Sequence, residues 1–186
     1  MRALLRLQAL TLRQEHPGER LVLLGSSSGG TLAHGVAAEL EALGEGPAAV
    51  VLLDTYLNDN QGITQFNDVL LGGMFAREER AAPMDGTRLT AMGRYFRLLD
   101  DWQPPAVRAP VLLVRATTPL GRPSAEAGEW RSSWPSAHTV LDVPGDHFSI
   151  MEQHVGTTGR AVADWIGTVV PTTAPTAPAR NPHPNP

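Results

Sequence analysis

The 186-residue chain is 42% hydrophobic and 18% charged, enough apolar material for one domain with a sizeable core. Its net charge is −4 and its 15 basic residues are all scattered arginines, which argues against nucleic-acid binding. It has no cysteine, so disulfides, zinc-thiolate sites and a cysteine nucleophile are excluded.

Residues 1–15 place Leu4, Leu5, Leu7, Leu10 and Leu12 among Arg2, Arg6, Arg13 and Gln14, close to helical spacing. No signal-peptide core is visible there, and no apolar run reaches the roughly 18 residues of a membrane span, so a cytoplasmic protein is expected. His16-Pro17-Gly18 ends this helix. Leu21 to Leu24 is a short apolar run of the kind that forms a buried strand. It passes directly into Gly25-Ser26-Ser27-Ser28-Gly29. That stretch fits the nucleophile-elbow pattern Gly-x-Ser-x-Gly, with Ser27 at its centre. A serine in so tight a turn needs small neighbours, because strand and helix approach closely on both sides. A helix over 31–43 follows, with Leu32, Val36, Leu40 and Leu43 as its buried stripe.

Ala48 to Leu53 is a second apolar strand, and it ends abruptly at Asp54-Thr55-Tyr56. Two such strands joined through a helix make a parallel βαβ unit. From Leu57 to about Pro105 the pattern turns helical, with helices predicted over 63–75 and 87–99 and no strand between them. Strands are predicted again over 110–114 and 139–143, the second leading into Pro144-Gly145-Asp146-His147-Phe148. Between them, Trp130, Trp134 and Pro135 suggest a covered, structured segment. A helix over 157–169 closes the fold, and the six prolines of 171–186 predict a disordered tail.

In a parallel sheet the C-terminal strand ends share one edge. Ser27, Asp54 and His147 all fall just past such ends, in the order serine, acid, histidine. The roles follow: Ser27 attacks an acyl carbonyl, His147 takes its proton, and Asp54 orients the imidazole. Asp59 is the rival acid, less well placed inside its loop, and Asp146 is expected to form a turn. His34, His138 and His154 are expected to be structural or exposed, and His16 and His183 lie at a helix end and in the tail. Trp102, Trp130, Trp134 and Trp165 are expected to pack the core or the helical insertion.

These stretches also carry a family resemblance. Leu24 to Gly30, Val50 to Tyr56, the run from residue 84 to Tyr95 (Met-Asp-Gly-Thr-Arg-Leu-Thr-Ala-Met-Gly-Arg-Tyr) and Val143 to Phe148 resemble the C-terminal thioesterase domain of modular polyketide synthases. The resemblance covers Leu21 to Val169. It implies a partial α/β-hydrolase fold, a mostly parallel sheet with helices on both faces and a helical lid at about 57–100. It implies a triad of Ser27, Asp54 and His147, with the backbone of Ser28 as oxyanion donor. It also implies release of a polyketide chain from an acyl carrier protein, by macrolactonisation or hydrolysis. The substrate would arrive on a phosphopantetheine arm, and no cofactor or metal is expected. Phe66, Leu70, Phe75, Met92 and Tyr95 are candidates to line an acyl channel under the lid. A full domain of this family has several more strands before the elbow, where this sequence has 20 residues. That departure predicts a truncated hydrolase domain over 1–170, a fragment of a longer protein or a truncated gene product, with an exposed sheet edge and one oxyanion donor missing. A general ester hydrolase of the same fold, or an inactive remnant acting as a binding module, are the alternatives.

Overall fold

The computed structural model of the chain describes residues 1–57, 61–81, 85–123, 129–135 and 139–170. The predictions for Asp59, Met84, His138, His183 and the tail lie outside these residues.

Four strands form one parallel sheet in the simple order β1-β2-β3-β4: β1 Val22–Ser26, β2 Ala49–Leu53, β3 Val111–Ala116 and β4 Thr139–Val143. Consecutive parallel strands that lie side by side need a crossover connection between each pair, here carrying α2 between β1 and β2 and α3 to α5 between β2 and β3. The two inner strands are continuous apolar runs because both of their faces are covered. Ala49, Val51 and Leu53 of β2 point to one side, where they join Leu112, Val114, Ile150, Val162 and Trp165. Val50 and Leu52 point to the other, against Ala37, Val111, Leu113 and Trp134. This period-two alternation splits the core into two layers.

Helix α1 (Arg2–Glu15) and helix α2 (Ser28–Ala42) cover one face together, joined by Leu5, Ala9, Val36 and Leu40. Helix α6 (Val155–Val169) covers the other through Val162 and Trp165. Arg2 and Arg6 of α1 reach Glu39 of α2 at 3.4 and 3.7 Å. Between β2 and β3 lie α3 (Gln61–Thr64), α4 (Asn67–Ala81) and α5 (Gly86–Leu99), with no strand among the described residues of this stretch. Asp85 starts α5 by accepting from the Arg88 N–H at 2.8 Å, an N-cap.

The strand ends set the site. Ser26 lies opposite Leu53, and Leu53 opposite Val114. Ser27 and Asp54 therefore leave the same edge of neighbouring strands. On its other side β1 is an edge of the described sheet, with Leu24 half exposed. A groove of about 700 Å³ runs beside it, lined by Leu4, Leu7, Leu12, Leu23 and Leu24 among others. Its lining holds no titratable group and does not include Ser27.

Candidate active site

Ser27 sits between β1 and α2 with φ 53° and ψ −131°, a left-handed conformation that a non-glycine residue adopts at a cost. Its N–H donates to the Leu53 carbonyl at 2.9 Å and its own carbonyl accepts from the Gly30 N–H at 3.0 Å, so the turn is held at both ends. Gly25 is obligatory here, because a Cβ on it would overlap the Gly29 and Gly30 backbone. The expectation that crowding explains both glycines of the pattern is corrected: a Cβ on Gly29 would meet nothing within 4 Å. The second crowded position is Gly30, where a Cβ would run into the Thr55 side chain. Gly30 thus lets the start of α2 close onto the segment that follows Asp54.

Asp54 is 1% exposed and also has positive φ, 41°. His147 is 7% exposed and stands at the end of the turn after β4. Gly145 makes that turn at φ 112°, where a Cβ would also press on His154 and Ser149. Asp146 is the turn former. Its carboxylate accepts from the N–H groups of Phe148 (3.1 Å) and Ser149 (2.8 Å), and its own N–H donates to the Ser149 hydroxyl at 2.7 Å. Burial works to raise the Asp146 carboxyl, but these hydrogen bonds bring it below the usual carboxylate value.

The three residues meet. His147 Nδ1 lies 2.8 Å from Asp54 Oδ2, and His147 Nε2 lies 3.1 Å from Ser27 Oγ. A carboxylate only accepts, so Nδ1 carries the proton and Nε2 is left to accept from the Ser27 hydroxyl. The rings of Phe148 (5.3 Å, edge-on) and Tyr56 (6.1 Å) flank the imidazole. Ser28 opens α2, so by helix geometry its N–H has no intrahelical acceptor.

Two cavities touch Ser27 and Ser28. One, about 310 Å³, is lined by Thr64, Asn67, Leu70, Leu71, Met74 and Phe96. The other, about 260 Å³, is lined by Met74, Arg77, His147, Phe148, Met151 and Glu152. Of the five expected channel residues, Leu70 lines the first cavity. Phe66, Phe75, Met92 and Tyr95 line neither. Phe66 is buried beside Gly121, and the Tyr95 hydroxyl donates instead to the Ser28 carbonyl at 3.1 Å. Met74 and Phe96 were missed because no motif marks a cavity wall; only their helical setting was visible.

Arg77 is part of the wall of the second cavity. Its Nε donates to Glu152 at 2.6 Å, and its guanidinium lies 3.8 Å above the Phe148 ring. His34 is fully buried and structural, as expected: its Nε2 bonds the Pro105 carbonyl at 2.8 Å, and its Nδ1 accepts from the Trp134 indole at 3.2 Å. Trp134 and Trp165 are core residues. No group of three or more potential metal ligands clusters among the described residues.

The family model for the thioesterase domain matches residues 1–166. The chain belongs to the thioesterase domain family. Over 151 residues it is 50% identical to a polyketide synthase, GfsE, of Streptomyces halstedii, covering 80% of this chain and 4% of that protein. Over 168 residues it is 34% identical to the erythronolide synthase EryA3 of Saccharopolyspora erythraea, covering 90% of this chain and 5% of that protein. It is thus a thioesterase domain of the polyketide-synthase type, and it spans only a small part of the length of these relatives. Among solved structures, the NocB thioesterase domain from the nocardicin cluster superimposes with a TM-score of 0.63 at 22% identity, over 89% of this chain and 73% of that one. The surfactin-cyclising thioesterase domain SrfTE gives 0.61 at 19% identity, over 87% and 74%. The thioesterase domain therefore has the α/β-hydrolase fold. No helix of its described residues is long and apolar enough to cross a membrane.

Proposed function

We propose that this thioesterase domain cleaves an acyl thioester carried by an acyl carrier protein, with Ser27, His147 and Asp54 as one catalytic unit. The observation that carries the reading is the unbroken hydrogen-bonded chain from Ser27 Oγ through the imidazole to the Asp54 carboxylate. Ser27 Oγ attacks the thioester carbonyl while its proton passes to His147 Nε2. The Ser28 N–H, aimed from the start of α2, stabilises the oxyanion. The carbon–sulfur bond then breaks, and the departing thiolate takes the proton from His147. In the second half, His147 removes a proton from water or from a hydroxyl of the acyl chain. That oxygen attacks the ester, and as the bond to Ser27 Oγ breaks His147 returns the proton to it, freeing Ser27. Water gives a free acid and an internal hydroxyl gives a macrolactone. Every reacting group is a side chain or backbone amide, so the scheme uses no cofactor.

Helices α3–α5 act in this reading as the lid over the acyl chain, and Leu70, Leu71, Met74 and Phe96 supply an apolar wall beside the nucleophile. The partner is a phosphopantetheine-bearing carrier protein, and the setting is cytoplasmic, as for an assembly line that builds polyketides. A fluorophosphonate probe tests the core of the proposal. It should label Ser27 and leave Ser27→Ala unlabelled. Acyl N-acetylcysteamine thioesters should turn over faster than p-nitrophenyl esters of the same acid; the reverse preference would point to a general esterase.

A further inference from the structure

Asp54 has more partners than a triad acid needs for its histidine. Its Oδ2 faces His147 and, at 3.4 Å, the Tyr56 hydroxyl. Its Oδ1 accepts from the Ala116 N–H at 3.2 Å and from the Ser132 hydroxyl at 3.1 Å. Ser132 is fully buried, so this hydrogen bond forms away from competing water. No motif in the sequence pointed to Ser132.

The segment that carries Ser132 is itself tied down on both sides. The Trp130 carbonyl accepts from the Tyr56 hydroxyl at 3.2 Å. Two residues beyond Ser132, the Trp134 indole packs in the core layer with Val50, Leu52 and Leu113. Its N–H donates to His34 on α2, the helix that begins at the elbow. Trp130 to Trp134 therefore reaches the acid through its middle and the nucleophile's helix through its end.

We propose that the segment from Trp130 to Trp134 is a clamp for the catalytic acid, and that Ser132 is a positioning residue that fixes the rotation of the Asp54 carboxylate. The inference rests on the catalytic reading given above. A carboxylate swings about its Cβ–Cγ bond unless both oxygens are held. Ala116 and Ser132 hold Oδ1, and that leaves Oδ2 aimed at His147 Nδ1. Without Ser132, Oδ1 keeps only the Ala116 N–H, one of its two anchors. The imidazole then loses its fixed partner at the moment it accepts the Ser27 proton. Ser132 touches neither substrate nor imidazole, so its effect must pass through Asp54.

The test is a double-mutant cycle read by the rate of fluorophosphonate labelling of Ser27. Ser132→Ala should slow labelling about tenfold in the wild-type background, the scale of one hydrogen bond to a charged group. In the Asp54→Asn background it should cost nothing further, because the group it positions is already lost. A merely structural serine would cost the same in both backgrounds. A second readout does not depend on activity. The low-field Nδ1–H proton of His147, followed in ¹⁵N-labelled protein, should move or exchange away in Ser132→Ala and stay in place in Ser27→Ala. If Ser132→Ala does not fold, Ser132→Cys fills the same space with a weak donor and replaces it. Unchanged labelling together with an unchanged resonance overturns the clamp. If wild-type protein is not labelled at all, the catalytic reading fails, and the resonance still decides whether Ser132 positions Asp54.

Discussion

The Tyr95 hydroxyl donates to the carbonyl of Ser28, 3.1 Å away, and so ties α5 to the first residue after the proposed nucleophile. Tyr95→Phe removes that tie and keeps the ring. It should lower stability by about 1 kcal/mol, the net worth of one hydrogen bond, and loosen α5 over the elbow. Faster hydrogen exchange confined to α5 and the start of α2, against wild-type protection elsewhere, checks it.

Burial raises the Tyr95 hydroxyl above its ordinary value of 10.0, and burial together with the Asp54 charge raises Tyr56 further. Both phenols are therefore held neutral in the fold. Such groups contribute stability that is fully present below the unfolded value and is lost as pH rises from there through the folded value. Denaturant unfolding at a series of pH values should show stability falling above about pH 10. Tyr56→Phe should flatten that fall more than Tyr95→Phe does.

Ser27→Ala and His147→Ala should each abolish acylation almost completely, and the double variant should be little worse than either alone. The histidine acts through the serine, so the two losses cannot add. Asp54→Asn should cost about 10⁴ in rate, the scale set by the best-studied triad. Additive losses in a burst-kinetic assay would break the unit apart.

The two glycines after the elbow should respond differently. Gly30→Ala pushes a methyl into Thr55 and should destabilise by about 1–3 kcal/mol, as overpacking does. Gly29→Ala has open space and should be neutral or slightly stabilising. Chemical denaturation of both variants makes the comparison.

Leu70, Met74 and Phe96 line the cavity next to Ser27, whereas Met92 and Phe75 do not. Leu70→Trp and Met74→Trp should suppress turnover of long acyl thioesters more than short ones. Met92→Trp should leave that preference unchanged. The ratio of kcat/KM for octanoyl and propionyl thioesters reads it directly.

The continuous strands were legible in the sequence because strands buried on both faces leave unbroken apolar runs, as at Val50 to Leu53 and Val111 to Val114. Ser27, Asp54 and His147 each fall just past the end of such a run or of β4, on one edge of the parallel sheet. The walls of the site were not legible in the same way. Phe75, Met92 and Tyr95 have the same apolar or aromatic character as Leu70, Met74 and Phe96, and only the rotation of α4 and α5 separates those that face Ser27. Ser132 was equally silent, because a lone serine in a loop gains its meaning only from a carboxylate 78 residues away. Strand β1 runs two residues beyond its predicted end and α2 starts three residues earlier than predicted, so the turn between them tightens to Ser27 alone.

His147 lies 120 residues after Ser27, on the last strand-to-helix turn of the sheet. At roughly 5–20 residues per second of synthesis, a nascent chain carries its serine for roughly 6–24 s before the base has been made. In the proposed triad, that serine has no imidazole to take its proton until the turn after β4 is in place. The order of the strands thus works as a timing device. On the proposed catalytic reading, nucleophilicity arrives last, once the chain has been made through β4.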